Sequence, residues 1–484
     1  MRTILATTAV CFIVAHAGAQ PVERLWENHC AKCHGDKAQG GGAGTGSLLT
    51  AEKRSQALDR TFFDAIKLGR ADMGMEAFGE TLTDAQTWGL VVHIRELQER
   101  ARRAEAGSPK PTKGVFHSAH HAYTIDDVVD GDLDTPWAVA WLPDGTMLVT
   151  ERGGTLRTFA AGKLSAPITG TPTTVEVGQG GLMEVAVHPD FAQNRWVYLT
   201  HTHPGEGRAT MTRVVRGRIK DGAWADEQEV WAAKKEHYVA TGLHFGSRLV
   251  FQKADGGRWL LFFCLGDRGE NPGKGAEQGA QQLTRPTGKV HRMWDDGSVP
   301  EDNPFVHEKD AYPTIWSYGH RNPQGLTLDL SGNLWDTEHG PRGGDELNRI
   351  EKGRNYGWPL VSFGINYNDT ALCTPFPDVA GIAGKDIAMP AWRWLPSIGA
   401  CGLATVSGDA FPEWRGDLVA GGLSGQNVDR IRVKAGEGGG FEIVEREELL
   451  HGKGRVRDVK VGPEGAVYVV LNGPDKVVRL VPAK

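Results

Sequence analysis

The segment ENHCAKCH at residues 27–34 constrains the start of this chain more than any other stretch. Cys30 and Cys33, followed directly by His34, form the C-x-x-C-H pattern that attaches a c-type haem covalently and supplies one iron ligand. A disulfide loop or a redox-active C-x-x-C are the alternatives, but neither explains a histidine directly after the second cysteine. Such a haem needs only a small domain, whereas the chain has 484 residues. At least one further domain is therefore expected.

A second iron ligand is expected downstream of this motif. Met75 opens the segment MEAF, which resembles the M-P-x-F that carries the axial methionine in small class I cytochromes c. Met73 is the competing candidate, and the spacing to Phe78 favours Met75. Together with His34, Met75 would give the six-coordinate His/Met iron of an electron carrier.

A long helix is predicted after the methionine. Thr83 and Gln86 form a T-x-x-Q capping box. Leu90, Ile94 and Leu97 then recur at i, i+4 and i+7, which gives one apolar face that can cross the first helix beside the haem. We therefore predict a small all-α cytochrome c domain over residues 20–105.

The two ends of this domain carry different signals. Residues 1–19 have a basic Arg2, a short apolar run and small residues at Ala17 and Ala19, which is typical of a secretory signal peptide. Residues 106–122 are charged and contain Pro and Gly, as linkers do. No later segment is apolar over eighteen residues, so we expect no stable membrane insertion. An exported protein with a haem c is expected to be periplasmic.

Composition limits the possible partners and the structure of the rest of the chain. The net charge is only −6, which gives no indication of nucleic acid as a partner. Glycine accounts for 64 of the 484 residues, well above the roughly 7% of average proteins, and indicates many tight turns between short strands. Cys264 lies in an apolar run and is expected to be buried in a strand. Cys373 and Cys401 lie in loop-like sequence and could pair in an oxidising compartment.

The sequence pattern of residues 123–484 predicts a mainly β structure. Turn signals followed by short half-buried strands recur at residues 142–151, 183–202, 247–267, 329–338 and 462–471. Units of this kind, separated by roughly 40 to 75 residues, indicate the blades of a β-propeller. The function of a propeller lies in the loops around one end of its channel.

Several glycine-flanked polar segments stand where strands end. They contain three arginines that we expect to be exposed, Arg321, Arg455 and Arg457. Arginines that converge from distant loops bind carboxylates in a bidentate manner. A single arginine would more often form a surface ion pair, but the set predicts an organic ligand with several negative charges.

These segments resemble the soluble glucose and aldose sugar dehydrogenases that depend on pyrroloquinoline quinone (PQQ), which are six-bladed β-propellers. The motifs are HFGSRLVF, GHRNPQGL, EHGPRGGDE, NYGWP, GINY and RVRDV, in the family order. The resemblance covers residues 123–484 and is closer to the aldose branch.

The resemblance implies roles for particular residues. His244 would be the general base that takes the proton of the anomeric hydroxyl, and Asp267 would orient its imidazole. Arg321 would stabilise negative charge on the quinone oxygens. Further cofactor contacts are implied for Gln179, Asn322, Ser397, Arg455 and Arg457. The carbonyl oxygens of Gly340 and Pro341 would ligate Ca²⁺.

One position departs from the family pattern. Ser424 stands where the family has a lysine that binds a cofactor carboxylate, and the loss of that cation is expected to weaken PQQ binding by roughly 1.5–3 kcal/mol.

The implied reaction oxidises an aldose to its lactone, with electrons passed from PQQ to the haem and on to a periplasmic cytochrome, copper protein or quinone-linked carrier. Three alternatives stay open: another alcohol or a sorbosone-like aldehyde as substrate, a calcium-dependent propeller lactonase, and a non-catalytic binding module.

Overall fold

The computed structural model describes residues 20–42, 45–106, 113–269, 279–372, 386–436 and 440–483. The predicted signal peptide, most of the predicted linker's first half and Cys373 lie outside these residues. The proposed Cys373–Cys401 pair therefore has one member outside them. Cys401 itself lies in a buried strand rather than in the expected loop, and its Sγ atom is 2.7 Å from the carbonyl oxygen of Arg457.

The N-terminal module is helical. Its helices are α1 (Val22–His29), α2 (Ala31–His34), α3 (Asp59–Leu68) and α4 (Asp84–Ala106). The predicted capping box is present, since the Thr83 backbone N–H donates to Oε1 of Gln86 (2.9 Å) and the Gln86 N–H donates to Oγ1 of Thr83 (3.2 Å). Short 3₁₀ turns connect the helices at Ala51–Arg54, Gln56–Leu58 and Ala71–Met73.

The larger module is a six-bladed β-propeller, as predicted. Four-stranded antiparallel sheets form the first five blades. Blade 1 comprises β3 (Pro136–Trp141), β4 (Met147–Glu151), β5 (Thr155–Ala160) and β6 (Lys163–Leu164), and blade 2 comprises β7 (Leu182–Val187), β8 (Val197–Pro204), β9 (Thr210–Lys220) and β10 (Ala223–Trp231). Blade 3 comprises β11 (Leu249–Lys253), β12 (Trp259–Leu265), β13 (Lys289–Trp294) and β14 (Ile315–Tyr318).

Blade 4 comprises β15 (Pro323–Leu328), β16 (Leu334–Glu338), β17 (Asp345–Ile350) and β18 (Trp392–Trp394), and blade 5 comprises β19 (Ala400–Thr405), β20 (Leu418–Gly422), β21 (Asn427–Ala435) and β22 (Phe441–His451). Short helical segments lie between strands at α5 (Phe191–Asn194), Lys235–His237, Gly279–Gln281 and Pro412–Trp414.

Blade 6 closes the ring with strands from both ends of the propeller. The C-terminal strands β23 (Arg455–Val461), β24 (Val467–Asn472) and β25 (Lys476–Pro482) are joined by β2 (Ala122–Asp130), which carries the short β1 (Phe116–His117) on its outer edge. β2 pairs with β25 from Tyr123↔Pro482 to Asp130↔Lys476. The hairpin β1–β2 thus begins inside the range that the sequence suggested as a linker.

The cores of the propeller lie between blades. Each of six buried clusters joins apolar side chains of two neighbouring blades, for example Trp137 and Leu148 of blade 1 with Leu182 and Val197 of blade 2. Cys264 is fully buried in β12, as expected. No helix among the described residues is both long and apolar enough to cross a membrane.

The helical module is packed on the propeller. Its hydrophobic core, which includes the predicted face Leu90, Ile94 and Leu97, continues into the propeller through Val361, Phe363, Ile365, Ile387 and Leu395. A buried ion-pair group spans the two modules: Asp59 lies 2.7 Å from Arg95 in its own module and 2.7 Å from Arg393 of the propeller. The two modules therefore share one core instead of being held together by the linker alone.

Candidate active site

The candidate site lies at the end of the propeller where the first strands of the blades begin and the second strands end. Gln179, His244, Arg321 and Ser397 precede the first strands of four blades, whereas Asp267 and Gly340 follow the second strands of two blades. This topology brings to one rim residues that are far apart in the sequence.

His244 and Asp267 form a buried pair. Nδ1 of His244 lies 2.6 Å from Oδ1 of Asp267, and the two residues are 7% and 0% exposed. The His244 N–H donates to Oε1 of Gln179 (2.8 Å). His244 also has a φ of 52°, in the left-handed region that non-glycine residues adopt infrequently. The arrangement fixes the imidazole with Nδ1 toward the acid.

The environment of this pair keeps the imidazole neutral. Burial lowers the pKa of His244, which Asp267 opposes and the charge of Arg321 reinforces. Burial acts to raise the pKa of Asp267, but the hydrogen bond from His244, the charge of Arg321 and the Gly269 N–H hold it below its usual value. The pair is suited to accept a proton on the free ring nitrogen and to stabilise the resulting cation.

Trp358 also binds the carboxylate of Asp267, although no role in the site was predicted for it. Its Nε1–H donates to Oδ2 of Asp267 at 2.7 Å, and the guanidinium carbon of Arg321 lies 5.2 Å from its ring centroid. Trp358 belongs to the NYGWP segment, which served only as a family signature. Its indole fixes the carboxylate from the side opposite His244.

Arg321 lies against the turn that contains Gly340 and Pro341. The sequence predicted an exposed arginine here, but Arg321 is only 7% exposed because Trp358 and the turn cover it. Its Nη1 donates to the carbonyl oxygen of Gly340 at 2.7 Å, while its Nε is buried without a partner. A cavity of about 10 Å³, close to the smallest that holds one water, is lined by Arg321, Gly340 and Pro341 together with acidic and aromatic side chains.

Arg457 is half-buried, whereas the sequence predicted it to be exposed. Its guanidinium lies 4.2 Å from the ring centroid of Trp137, and its Nε is 3.4 Å from Oδ1 of Asn472. Burial lowers its pKa. Arg455 is exposed, as predicted. In the part of the chain that the structure describes, neither Arg321 nor Arg457 forms an ion pair within 4 Å.

His339 is a second residue that sequence reasoning missed. Burial, together with the neighbouring Arg321, His244 and Arg457, lowers its pKa to about 3, so these four groups share one environment. Its Nε2 is buried without a partner, and its Nδ1 lies 3.4 Å from Nδ2 of Asn322. His339 lies in the EHGP motif, in which a role was predicted only for the next two residues, Gly340 and Pro341.

Asn322 contributes to the scaffold of the site. Its Oδ1 accepts from Nε2 of Gln324 (3.2 Å) and from the Gly246 N–H (3.4 Å), and the residue is 1% exposed. The structure therefore places Asn322 under the rim, where it joins the loops of His244 and His339.

Asp345 connects two parts of the rim. Its oxygens accept from Oγ of Ser397 (2.8 and 2.9 Å) and from the Gly340 N–H (3.0 Å). Burial raises its pKa even though it accepts these hydrogen bonds. Ser424 lies beside Ser397, since its Oγ is 3.5 Å from the Ser397 carbonyl oxygen, and it is exposed. The departure from the family lysine is thus on the same rim.

The predicted haem ligands lie around the core of the helical module. Cys30 is 9% exposed at the junction of α1 and α2, and His34 ends α2 with its Nδ1 buried and without a partner. Met75 packs against the same core, whereas Met73 is 70% exposed. Two thiols, an imidazole and a thioether around one apolar core suit a haem c.

Comparison with known proteins matches both modules. Residues 133–479 match the family model described as Glucose / Sorbosone dehydrogenase. The chain belongs to the glucose/sorbosone dehydrogenase family. Its helical module, matched over residues 17–94 by the model described as Cytochrome C oxidase, cbb3-type, subunit III, is a cytochrome c domain.

Three relatives of this dehydrogenase family each match about three quarters of the chain. Aldose sugar dehydrogenase YliI of Escherichia coli (strain K12) is 40% identical over 350 residues, which cover 72% of this chain and 89% of that protein. The apo-form structure of the soluble aldose sugar dehydrogenase from Escherichia coli superposes with a TM-score of 0.66 at 38% identity, covering 75% of this chain and all of that one. A PQQ-bound aldose sugar dehydrogenase from Streptomyces coelicolor gives 0.57 at 25% identity, covering 74% of this chain and 98% of that one.

Proposed function

We propose that this member of the glucose/sorbosone dehydrogenase family is a periplasmic, PQQ- and Ca²⁺-dependent aldose dehydrogenase that passes electrons to its own haem c. The observation that carries the proposal is the buried His244–Asp267 pair beside Arg321 and Arg457, two enclosed guanidinium groups with no ion pair in the described chain. A base and unpaired cations on one rim suit a sugar and a polyanionic cofactor.

The residues of the rim fit the cofactors. Arg321 Nε and His339 Nε2 are buried polar atoms without partners, which a polar ligand would satisfy. Arg455, Arg457 and Ser397 would hold the carboxylates and edge of PQQ. The carbonyl oxygens of Gly340 and Pro341 are hard donors of the kind that Ca²⁺ prefers. PQQ, when bound, would supply an acceptor for the hydride that leaves the anomeric carbon.

The chain's own residues handle the proton and the charge. Neutral His244 accepts the proton of the anomeric hydroxyl on its free ring nitrogen, and Asp267 stabilises the cation that forms. Trp358 keeps the carboxylate in place. Arg321 supplies positive charge where negative charge develops. The sugar is left as its lactone.

The cytochrome domain is proposed as the first electron acceptor. Cys30, Cys33, His34 and Met75 would hold the haem, which would supply a one-electron acceptor. Residues 1–19 resemble an export signal, which supports a periplasmic location. A periplasmic cytochrome, copper protein or quinone-linked carrier would then remove the electrons.

The visible absorption of the haem in purified, haem-matured protein tests the proposal. We expect reduction only when PQQ, Ca²⁺ and an aldose are all present. If PQQ binds but no aldose from a panel reduces the haem, the substrate is another alcohol or an aldehyde. If PQQ does not bind at all, the proposal fails.

A further inference from the structure

One face of helix α4 lies against the propeller. The residues of this face, here called the docking stripe, are Gly89, Val92, Glu96, Glu99 and Arg103, spaced three and four apart as one face of a helix requires. Glu99 lies 3.3 Å from Arg446 of β22, and Arg103 lies 3.7 Å from Glu448 of the same strand.

The middle of the stripe contacts the turn that contains Gly340 and Pro341. Glu96 lies 3.8 Å from the guanidinium of Arg342, and a Cβ built on Gly343 would lie 4.0 Å from Cγ1 of Val92. Val92 and Glu96 are 1% and 2% exposed. The cytochrome domain thus pairs with Arg342 and faces Gly343, the two residues that directly follow Gly340 and Pro341.

The same turn rests on a second contact with the cytochrome domain. Arg342 and Ile365 exchange backbone hydrogen bonds of 3.0 and 2.9 Å. Ile365 and Phe363 belong to the hydrophobic core of the cytochrome domain. A Cβ on Gly344 would come within 2.5 Å of the Phe363 backbone, so the turn and this segment pack together without room for a side chain between them.

We propose that Val92 and Glu96 of the cytochrome domain are positioning residues for the calcium and PQQ site, because they hold the Gly340–Gly344 turn against the propeller. The inference rests on the proposed function. It makes the cytochrome domain a structural part of the cofactor site, in addition to its role as an electron acceptor. Removing the interactions of Val92 and Glu96 with this turn should therefore weaken cofactor binding even when no electron reaches the haem.

The test is a calcium titration of PQQ binding to the full-length, haem-matured protein. The absorbance of PQQ, measured without sugar, reports binding. Val92→Ala removes Cγ1, the atom of Val92 that faces Gly343, and Glu96→Gln removes the charge opposite Arg342. We expect each to raise the calcium concentration for half-maximal PQQ binding, on the order of threefold to tenfold. Arg342→Gln should act in the same direction, and combining it with Glu96→Gln should add little.

Two matched controls separate this role from general weakening of the module. Val91→Ala removes the same atoms from a buried residue of α4 that lies outside the stripe. Arg103→Gln removes a charge at the end of the stripe, away from the turn. Both should leave the titration unchanged, while the haem spectrum reports folding of each variant. If Val92→Ala and Glu96→Gln bind like their controls, the inference is overturned. If the unaltered protein binds no PQQ with calcium, the proposed function fails instead.

Discussion

At the scale of single residues, burial sets the chemistry of His244. Its lowered pKa keeps the imidazole neutral, and therefore able to act as a base, down to a pH below the usual histidine range. Asp267→Asn removes the charge that raises this pKa, so the acid limb of the pH–rate profile should move to lower pH. kcat should fall on the order of 10²- to 10⁴-fold, since the imidazole loses its orientation. Activity profiles with a small artificial acceptor would measure both, and an unmoved acid limb would contradict the assignment.

The two methionines before α4 offer a matched pair. Met75 packs against the core and Met73 is exposed, so only Met75→Ala should remove the axial thioether. Because His/Met ligation raises the potential of a haem, we expect a fall on the order of 0.1 V or more, within the ~0.8 V that axial ligands span. A redox titration checks this. An equal fall in Met73→Ala would show that the ligand is misassigned.

Ser424 provides a gain-of-function test. Ser424→Lys restores a cation beside Ser397 and should tighten PQQ binding by up to about tenfold, near the lower end of a charge-assisted hydrogen bond because the position is exposed. Gln426→Lys adds the same charge to another exposed residue of this loop. Equal gains in both would indicate a general effect of charge.

Sequence reasoning found the residues of the site that carry family motifs and missed those that hold them. His244 and Asp267 are brought together as expected, but His339, Trp358 and Asp345 became visible only in the fold. Their contacts reach residues far away in the sequence: Trp358 and Asp267 are 91 positions apart, and Asp345 and Ser397 are 52 positions apart. Such contacts depend on how blades are arranged around the ring, which no local pattern records.

At the scale of elements, the sequence predicted the burial of one face of helix α4 but not of the other. The face with Leu90, Ile94 and Leu97 is apolar and repeats every three to four residues, so its burial follows from the sequence. The docking stripe contains two acids and an arginine. From the sequence alone, we would expect such a face to be exposed to solvent. Its burial depends on Arg342, Arg446 and Glu448 of the propeller, which complement its charges.

The ion pairs of Asp59 give this interface a measurable strength. Asp59→Asn would leave Arg95 and Arg393 buried without their shared carboxylate, which should cost about 3–5 kcal/mol and uncouple unfolding of the two domains. Asp64→Asn, on the exposed side of the same helix, removes a surface pair with Arg60 and should change little. Denaturant unfolding followed through haem and tryptophan signals measures both. Equal stability of the two variants would mean that the buried group contributes nothing to docking.

At the scale of the whole molecule, the shared core changes how the haem is expected to receive electrons. A cytochrome on a flexible tether meets its donor at an effective concentration that falls as the tether lengthens, roughly as the −3/2 power of its length or more steeply. A cytochrome packed into the propeller through Val361, Phe363 and Leu395 keeps one distance to its donor, whatever the linker. The linker would then serve only to connect the chain.

Lengthening the linker distinguishes the two arrangements. A Gly-Ser insertion between Gly107 and Ser108 that doubles the length of residues 106–122 should leave the rate of haem reduction by sugar within about twofold of the unaltered protein, because docking and not the tether sets the distance. Asp59→Asn should slow the same step, since it weakens docking without touching the linker. Stopped-flow haem absorbance at several protein concentrations, where a first-order rate independent of concentration marks an intramolecular step, provides the measurement. A rate that falls with the insertion and ignores Asp59→Asn would mean that the cytochrome domain leaves its docked position to collect each electron.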